Sequence, residues 1–327
     1  MAAAVGLVGS SAVHRSLLER LAKFAQTDAE ILITGPTGVG KEQYAQYTHR
    51  QSPRAKAAFV PINCGAVPDT LFENELFGHV GGAFTGARPN SEGLVAAAEG
   101  GTLFLDEVDT LSAPGQVKLL RFIQEKEYRR LGESRTRRAN VRIIAASNAD
   151  LMATVHEGRF RQDLFFRLRV IPIEIPALSK RPEDVFTLLA EYIEHYAELY
   201  DLPRINFTAM ALERLKTYAW PGNVRELENC IQYLTCLQPG HAILAEELPL
   251  LTQEESHSTA QDGKAPFQKA KQELVGIFEK DYLEEALRRS GGNIAEAARA
   301  SGKARRAFFE LMRKHGVRAV NGAGSGS

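Results

Sequence analysis

Residues 31–41 read ILITGPTGVGK, an apolar stretch that passes through a glycine-rich turn to a lysine. The apolar residues predict a strand, and the residues after the lysine have the spacing of a helix. In that context a glycine-rich loop turns its backbone N–H groups toward a phosphate, and the lysine adds a positive charge. A chance glycine turn is the alternative. The sequence therefore predicts a phosphate-binding loop formed by Gly35, Pro36, Thr37, Gly38, Val39, Gly40 and Lys41.

The rest of the N-terminal part alternates between two kinds of segment. Short, apolar and β-branched stretches predict strands, and the stretches between them have helical spacing. The predicted strands are residues 30–34, 58–62, 102–105, 141–145 and 170–175. This alternation is typical of an α/β fold with a parallel sheet covered by helices on both faces. After Pro176 the apolar spacing is helical only, which predicts a small helical lid.

The charge is balanced over the whole chain and is basic at the C-terminal end. Forty Lys and Arg residues cancel 40 Asp and Glu residues among 327, so no protein-wide basic field for nucleic acid is expected. Residues 264–318 carry 13 basic and 7 acidic residues, a net charge of +6, which leaves −6 for the residues before them. The sequence therefore predicts a basic C-terminal module.

Cysteine usage and hydropathy exclude several classes of protein. Cys64, Cys230 and Cys236 have neither paired C-x-x-C spacing nor a neighbouring His cluster, which argues against a disulfide framework or a zinc site. No apolar run approaches the roughly 20 residues that span a bilayer. We therefore expect a cytoplasmic protein without a membrane partner.

An apolar strand with two acids at its end lies at residues 103–107, which read LFLDE. Ligands of α/β proteins bind at the carboxyl ends of the strands, so these two acids are candidates for the chemistry. The segment resembles a Walker B element, in which Asp106 holds Mg²⁺ and Glu107 orients and polarises the attacking water. A solvated pair of acids is the alternative.

A second glycine-rich stretch lies between these two motifs and reads GAFTGA. Its six residues are Gly82, Ala83, Phe84, Thr85, Gly86 and Ala87. Small, flexible flanks allow Phe84 to point outward on a hairpin rather than into a core, and an exposed Phe implies a partner. An ordinary glycine-rich hairpin is the alternative.

The three motifs together resemble the sigma-54-dependent transcription activators, the bacterial enhancer-binding branch of the AAA+ ATPases. The resemblance covers about residues 5–317. It implies an AAA+ parallel-sheet P-loop ATPase domain with a helical lid, followed by an all-α helix-turn-helix domain. In that family the GAFTGA loop contacts the sigma factor and moves with the nucleotide state, so residues 82–87 are the expected sigma-54 contact.

The resemblance also assigns residues of the nucleotide pocket. The family has Glu where most phosphate loops place a Mg²⁺-binding Ser or Thr, and Glu42 matches it, so Mg²⁺ is expected to rely on Asp106, phosphate oxygens and water. An Asn of the second strand holds the catalytic Glu, and Asn63 matches it, with a turn Asn as the alternative. Ser147 and Asn148 match the sensor I position, which contacts the γ-phosphate or the water, although Asn is also common in turns.

Three arginines complete the predicted site. Residues 160–168, FRQDLFFRL, resemble the family segment FRxDLYYRL, whose arginines reach the nucleotide of the neighbouring subunit, which makes Arg161 and Arg167 candidate arginine fingers. Taken alone, two arginines six residues apart would be surface salt-bridge partners. Residues 220–227, WPGNVREL, match the family's WPGNxREL, and Arg225 is the sensor II candidate. A capped helix with a surface Arg is the alternative.

The C-terminal module has the layout of a helix-turn-helix. A helix predicted over residues 267–289 is broken at residues 291–293, and two shorter helices follow. The segment resembles the Fis-like DNA-binding domain of these activators. The residues predicted to pack inside are Ala297, Ala298, Phe308, Leu311 and Met312. The predicted DNA contacts are Lys303, Arg305, Arg306, Arg313 and Lys314, with a solvated basic helix as the alternative.

The expected domain order follows from these assignments. It comprises an α/β ATPase subdomain with the GAFTGA loop over residues 1–172, a helical lid over 173–250, a linker over 251–266, a helix-turn-helix domain over 267–318 and a disordered tail over 319–327. Many family members begin with a receiver or ligand-sensing domain, which residues 1–4 are too short to form. We therefore expect either a trimmed chain or control by a separate regulatory protein.

The resemblance implies a specific activity. An activator of this kind binds upstream enhancer DNA, assembles into a homo-oligomeric ring, a hexamer, and uses ATP and Mg²⁺ to remodel the complex of sigma-54 RNA polymerase holoenzyme with a closed promoter into the open complex. A DNA-binding regulator that uses nucleotide only as a structural switch is one alternative, but Glu107 and both candidate fingers argue against it. A motor acting directly on nucleic acid is another, but its substrate loop would be basic and the Phe-Thr loop is not.

Overall fold

Five parallel strands form the central sheet of the N-terminal unit. The structure is a computed structural model that describes residues 7–82, 90–250 and the isolated positions 287, 290, 294, 297, 298, 308 and 312. The chain divides into two units, Met1–Leu250 and Leu251–Ser327.

The strands follow the predicted segments closely. In chain order they are β1 Ile31–Thr34, β2 Phe59–Asn63, β3 Thr102–Asp106, the hairpin strands β4 Glu127–Tyr128 and β5 Arg137–Arg138, β6 Arg142–Ser147 and β7 Ile171–Glu174. The sheet order is β2-β3-β6-β1-β7, with every neighbouring pair parallel, while β4 and β5 pair antiparallel as a separate two-stranded sheet. The predicted α/β class is confirmed, and the ends of the five strands differ from the predicted bounds by at most two residues.

Helices cover both faces of this sheet and form the lid. They are α1 Ala12–Ala25, α2 Lys41–Arg50, α3 Asp69–Phe77, α4 Gly93–Ala97, α5 Ala113–Glu125, α6 Leu151–His156, α7 Gln162–Leu168, α8 Glu183–Tyr200, α9 Ala209–Thr217 and α10 Asn223–Leu237. Side chains at the helix starts fix several of these boundaries. Ser11 accepts the N–H of His14 at the start of α1, and Thr208 accepts the N–H of Ala211 at the start of α9. Such caps each contribute about 1 kcal/mol.

The sheet is buried on both faces, as its apolar strands predict. In β3, Leu103 and Leu105 belong to the core cluster that includes residues of α3, α5 and α7, whereas Phe104 belongs to the cluster that includes residues of α1 and α2. The alternation arises because successive side chains of a strand point to opposite faces. Each fully buried Leu or Phe contributes about 1.5–3 kcal/mol of transfer free energy. The carboxyl ends of β1, β3 and β6 are thereby held at one edge of the sheet.

The lid is a helical unit built around Trp220. This residue is 1% exposed, and its Nε1 donates a hydrogen bond to the carbonyl of Leu215 at 2.9 Å. Leu188 of α8 and Leu227 and Ile231 of α10 belong to the same buried cluster. The helical lid predicted after Pro176 is therefore confirmed.

The described apolar residues of the C-terminal unit form a small cluster of their own. Leu287, Ala297, Ala298, Phe308 and Met312 are at most 5% exposed, and Ile294 packs against them. Four of the residues predicted to pack inside are thus confirmed, while Leu311 lies outside the described residues.

Across the described ranges, no helix combines the length and the apolar character that crossing a bilayer requires.

Candidate nucleotide-binding site

The predicted phosphate loop connects the buried strand β1 to α2. Gly38 and Gly40 have φ angles of 79° and 92°, a region that other residues enter only with strain. A Cβ added to Gly38 would lie 2.2 Å from the carbonyl oxygen of Gly222 in the lid. Both positions therefore require glycine. At Gly38 there is a second reason, because the lid contacts the phosphate loop there.

Lys41 is the buried cation of this loop. It is 7% exposed, and its Nζ donates to the carbonyls of Gly35 at 2.9 Å and Pro36 at 3.1 Å and to Oδ1 of Asn148. Burial lowers the pKa of Lys41, and the nearby Asp106 carboxylate opposes that shift. The ammonium group is thus directed at the loop rather than at solvent, where it can neutralise a phosphate.

Asp106 and Glu107 stand at the end of β3, as predicted. Glu107 has a φ of 54°, so the chain turns sharply after Asp106, and its N–H donates to Oδ1 of Asp106 at 3.0 Å. Burial raises the pKa of Asp106, and the carboxylates of Glu107 and Glu42 add to this rise while Lys41 opposes it. The site therefore concentrates negative charge close to one lysine, which favours a divalent cation as a further ligand.

Asn148 holds the side chain of Glu107, the candidate catalytic residue. The resemblance had assigned this holding role to Asn63. Nδ2 of Asn148 donates to Oε1 of Glu107 at 3.0 Å, while its Oδ1 accepts from Lys41. Oδ1 of Asn63 instead accepts the N–H groups of Gly65 and Ala66 at 2.8 and 3.1 Å, which is the turn interpretation. Among the described residues no hydrogen bond joins Asn63 to Glu107. The two side chains are nevertheless close, because a Cβ on Gly65 would lie 2.9 Å from Glu107 Oε2 and 3.3 Å from Asn63 Oδ1.

Asp109 is a part of the site that sequence reasoning missed. Its Oδ1 accepts the hydroxyl of Ser147 at 2.7 Å and the N–H of Asn148 at 3.3 Å. It therefore fixes both sensor I candidates at the end of β6. The available signal was an acid three residues after Asp106 in a strand-end motif that already contained two acids.

The start of α10 docks on the phosphate loop. The N–H of Arg225 donates to the carbonyl of Gly38 at 3.2 Å, and Nδ2 of Asn223 donates to the carbonyl of Thr37 at 2.9 Å. Oδ1 of Asn223 accepts the N–H of Leu178 at 2.8 Å, at the start of the lid. Asn223 belongs to the WPGN motif, but its role as the joint between lid and loop was not predicted.

A cavity of about 260 Å³ opens beside this joint. It is lined by Leu7, Val8, Gly38, Val39, Gly40, Gln43, Arg181, Leu188, Tyr192, His195, Val224, Arg225 and Glu228. The phosphate loop forms one wall and the lid another. Apolar and polar side chains share its walls, and the predicted sensor residue Arg225 lies at this cavity.

A buried ion pair also ties the lid to the phosphate loop. Arg181 and Asp184 lie 3.5 Å apart with side chains 3% and 0% exposed. Nη2 of Arg181 donates to the carbonyl of Val39 at 3.3 Å, and Oδ1 of Asp184 accepts the N–H groups of Ser10 and Ser11 at 2.7 Å each. The pair thus joins the lid, the phosphate loop and the start of α1, which are far apart in the sequence.

Asn223→Ala is expected to destabilise the lid-loop joint. The change leaves the carbonyl of Thr37 and the N–H of Leu178 without their partner, which costs about 1–3 kcal/mol. Ala is also less tolerant than Asn of the φ of 55° at this position. Thermal unfolding should show a Tm that falls by about 2–4 °C for each kcal/mol lost. Asn229→Ala, at an exposed position of the same helix, is the control, and equal Tm values for the two variants would contradict the assigned role.

The two candidate arginine fingers lie on the exposed face of α7 and at its start. Arg161 forms a fork with Asp163, at 3.0 and 2.7 Å, and Arg167 is exposed next to the exposed Phe166. Neither arginine lines the described cavity of its own chain. The pair with Asp163 corresponds to the surface interpretation of Arg161, and the role of both residues as fingers stays a prediction.

Only the base of the GAFTGA loop is described. Gly82 is the first of the six residues, and Ala83, Phe84, Thr85, Gly86 and Ala87 lie outside the described residues. Below it, His79 and Ser91 exchange two N–H···O hydrogen bonds of 2.9 Å, and the N–H of Gly81 donates to Oδ1 of Asn90 at 2.7 Å. The two ends of the loop are therefore fastened to each other. The predicted DNA contacts Lys303, Arg305, Arg306, Arg313 and Lys314 also lie outside the described residues.

Three family models match consecutive parts of the chain. The model of the sigma-54 interaction domain matches residues 7–174, and the model of the AAA+ ATPase lid domain matches residues 179–265. The model described as "Bacterial regulatory protein, Fis family" matches residues 275–314. The transcriptional regulatory protein GlrR of Escherichia coli (strain K12) is 43% identical over 313 residues, which make up 94% of this chain and 68% of that protein. The transcriptional regulatory protein ZraR of Klebsiella oxytoca is 44% identical over 311 residues, or 95% of this chain and 69% of that protein.

Solved structures agree with this assignment. NtrX from Brucella abortus has been crystallised in complex with ADP and with ATP, and both structures match with a TM-score of 0.74 at 33% and 34% identity. The matches cover 96% and 95% of this chain and 70% and 69% of the NtrX chains. The chain belongs to the sigma-54-dependent transcriptional activators, with an AAA+ ATP-binding domain, an AAA+ lid and a Fis-type helix-turn-helix DNA-binding domain.

Proposed function

We propose that the protein hydrolyses ATP in a homo-oligomeric ring, a hexamer, and uses the energy to convert the closed complex of sigma-54 RNA polymerase holoenzyme at a promoter into the open complex. The observation that carries this proposal is the position of Asn148. One amide contacts both the lysine expected to bind phosphate and the acid expected to activate water. A bound phosphate would compete with Asn148 for the ammonium group of Lys41. It would thereby change the position of Asn148, whose side chain also holds Glu107.

ATP is the nucleotide that the site is proposed to bind, with Mg²⁺. The NtrX complexes with ATP and ADP support this, because their fold matches along nearly the whole chain. Within the described residues no group of three His, Cys, Asp or Glu side chains could hold a metal ion by itself. Mg²⁺ needs only one or two carboxylates besides phosphate oxygens and water, so Asp106 fits as its protein ligand. When bound, the ion would neutralise charge on the phosphates.

The chain's own residues would then divide the work. The backbone N–H groups of residues 38–41 and the Lys41 ammonium would orient the phosphates and neutralise their charge. Glu107 would orient the attacking water and accept its proton, which requires the carboxylate form. Asn148 and Ser147 would report the γ-phosphate to the end of β6. Arg225 and Asn223 would carry the change into the lid, because α10 begins on the phosphate loop.

The ring would complete the site from a neighbouring subunit. Arg161 and Arg167 are exposed in one copy of the chain, which is the arrangement that a group supplied to the next subunit requires. The proposed domain division is the ATPase subdomain over residues 1–172, the lid over 173–250, a linker over 251–266 and the DNA-binding domain over 267–318. The last of these would bind enhancer DNA upstream of the promoter, under the control of a separate regulatory protein.

Thr85→Ala tests the proposed coupling between hydrolysis and promoter opening. Thr85 lies in the loop expected to contact sigma-54 and not among the residues of the pocket, so hydrolysis should continue at close to the parent rate. Opening should fall about tenfold or more, because losing a contact worth about 1.4 kcal/mol changes an equilibrium tenfold. Steady-state ATP hydrolysis and open-complex formation on a supercoiled sigma-54 promoter are measured on the same preparations.

Thr85→Ser keeps the hydroxyl and is the matched control for this variant. It should open the promoter better than Thr85→Ala does. If Thr85→Ala opens the promoter as well as the parent protein does, the loop does not couple ATP hydrolysis to promoter opening, and that part of the proposal is refuted.

A further inference from the structure

The hairpin of residues 127–138 carries a concentration of arginine that the proposed mechanism does not use. It reads EYRRLGESRTRR, with five Arg and two Glu, a net charge of +3 in 12 residues. The preceding helix α5 adds the cations Lys118 and Arg121. The balanced charge of the whole chain and its basic C-terminal module gave no indication of this local charge.

The hairpin is fixed rigidly to the ATPase subdomain. The ring of Tyr128 stacks on Phe77 with centroids 5.9 Å apart and meets Phe122 edge to face at 6.5 Å. Tyr128 pairs with Arg137 across the hairpin and Glu127 pairs with Arg138. Because neighbouring positions of a strand alternate between faces, the buried Tyr128 faces the core and the pair of Glu127 and Arg138 faces outward.

The same hairpin is bonded to the base of the loop expected to contact sigma-54. The N–H of Leu131 donates to the carbonyl of Gly78 at 2.9 Å, and the N–H of Val80 donates to the carbonyl of Leu131 at 3.0 Å. Val80 lies two residues before Gly82, the first residue of the GAFTGA loop. The hairpin therefore lies beside the base of that loop.

Hydrogen bonds hold several of the guanidinium groups in defined positions. Arg130 and Arg137 share the single carboxylate of Glu133 through Nε–Oε2 contacts of 3.0 and 3.1 Å. Arg137 and then Arg130 lower the pKa of Glu133 to about 2, so it stays ionised at neutral pH. Two arginines around one carboxylate leave an excess positive charge. Nε of Arg129 donates to the hydroxyl of Thr136 at 2.9 Å, which orients this guanidinium group as well.

The outward face is open to a partner. The side chain of Arg138 is 90% exposed, and Arg129 and Arg135 are also exposed. Among the described residues, Arg121, Arg129 and Arg135 form no ion pair. A groove of about 520 Å³ runs between α3, α5 and the hairpin, and its charged lining residues are Glu73, Lys118, Arg121, Glu125, Glu127 and Arg129. Two of its three carboxylates already have partners, because Glu73 pairs with Lys118 and Glu127 with Arg138.

We propose that this hairpin binds the sugar-phosphate backbone of duplex promoter DNA beside the point where the GAFTGA loop engages sigma-54. The inference rests on the proposed function, in which the substrate of the ring is a protein complex on DNA. Guanidinium groups form planar, bidentate contacts with phosphate oxygens, and a rigid array of them suits the regular charge spacing of a duplex. The contact would position the ring without reading sequence, because phosphates carry none.

The test compares two triple variants with equal changes in charge. Arg129→Ala, Arg135→Ala and Arg138→Ala are combined in one full-length chain, and Arg15→Ala, Arg20→Ala and Arg214→Ala, all exposed on other helices, are combined in the control. Binding to sigma-54 holoenzyme on a promoter duplex is measured with ATP at several salt concentrations. Each phosphate contact contributes about 0.9 to the slope of log K against log salt, so the hairpin variant should flatten the slope by about 2 to 3 relative to parent and control. Both variants should hydrolyse ATP at the parent rate.

A cross-link identifies the partner directly. A photoreactive benzoylphenylalanine at position 135 should attach to a DNA strand in the same complex, whereas the same residue at position 20 should not. A cross-link only to sigma-54 or to polymerase, or an unchanged salt slope in the hairpin variant, would overturn the inference. Failure of the parent protein to hydrolyse ATP or to open the promoter would instead refute the proposed function, so the two failures are distinguishable.

Discussion

Arg161→Ala is expected to lower the rate of ATP hydrolysis by the assembled protein by about 10³- to 10⁵-fold, the range found for arginine fingers in phosphate-transferring switches. Arg167→Ala should have an effect in the same direction. Nucleotide affinity should change little, because a finger acts on charge that develops in the transition state. Hydrolysis and binding of a fluorescent ATP analogue are measured at protein concentrations that favour the ring.

A matched control separates the finger from its surface ion pair. Arg159 pairs with Glu157 on the surface, as Arg161 pairs with Asp163, so Arg159→Ala also breaks an exposed ion pair. Exposed pairs contribute little to stability, and Arg159→Ala should therefore hydrolyse ATP at close to the parent rate. Equal loss of activity in the two variants would indicate damage to the fold rather than loss of a finger.

Mixing two inactive variants tests whether the finger acts across the subunit boundary. Glu107→Gln subunits retain Arg161, and Arg161→Ala subunits retain Glu107. A ring that contains both kinds of subunit includes some interfaces with an intact pocket and an intact finger, so part of the activity should return. Absence of rescue at every mixing ratio would contradict a finger supplied by the neighbouring subunit.

Glu107→Gln is the second change with a large expected effect. The amide keeps the shape of the side chain and can still accept the hydrogen bond from Nδ2 of Asn148, but it cannot take a proton from water. Turnover should fall by about 10²- to 10⁴-fold, the usual contribution of a general base, while ATP binding with Mg²⁺ is retained.

The control for this change is Glu19→Gln, an isosteric substitution on the exposed face of α1. It should leave both turnover and nucleotide binding at parent values. A near-normal kcat for Glu107→Gln would refute the assignment of Glu107 as the residue that activates water.

The parts of the molecule that the sequence predicted are those encoded by local patterns. The strand, glycine loop and helix around Lys41 and the apolar strand before Asp106 carry their periodicity within a few residues, so these elements could be predicted. Their closeness in space follows from the rule that the carboxyl ends of parallel strands share one edge. The resemblance to a family added roles for Arg161 and Arg225, which spacing alone would have left as surface residues.

The parts that the sequence did not reveal depend on contacts between distant residues. Asn148 reaches Lys41 across 107 positions, and Asn223 reaches Thr37 across 186. No local pattern marks such a partner, because an Asn after a strand or before a helix is also common in turns and caps. Asn63 shows the reverse case, since its family role suggested a bond to Glu107 and the described structure uses it in a turn.

The closed base of the GAFTGA loop allows selection for recognition of the target to act separately from selection for the fold. His79 and Ser91 hold the chain together just before and just after the loop, so the closure of the loop is set by backbone hydrogen bonds outside the GAFTGA residues. Loops tolerate sequence variation better than the elements they connect, so we expect substitutions there to act on recognition more than on folding. An ancestral ATPase of this shape could therefore have acquired a new target by drift within one short segment. In such a lineage the residues of the ATP pocket and the residues that recognise the target would evolve at different rates.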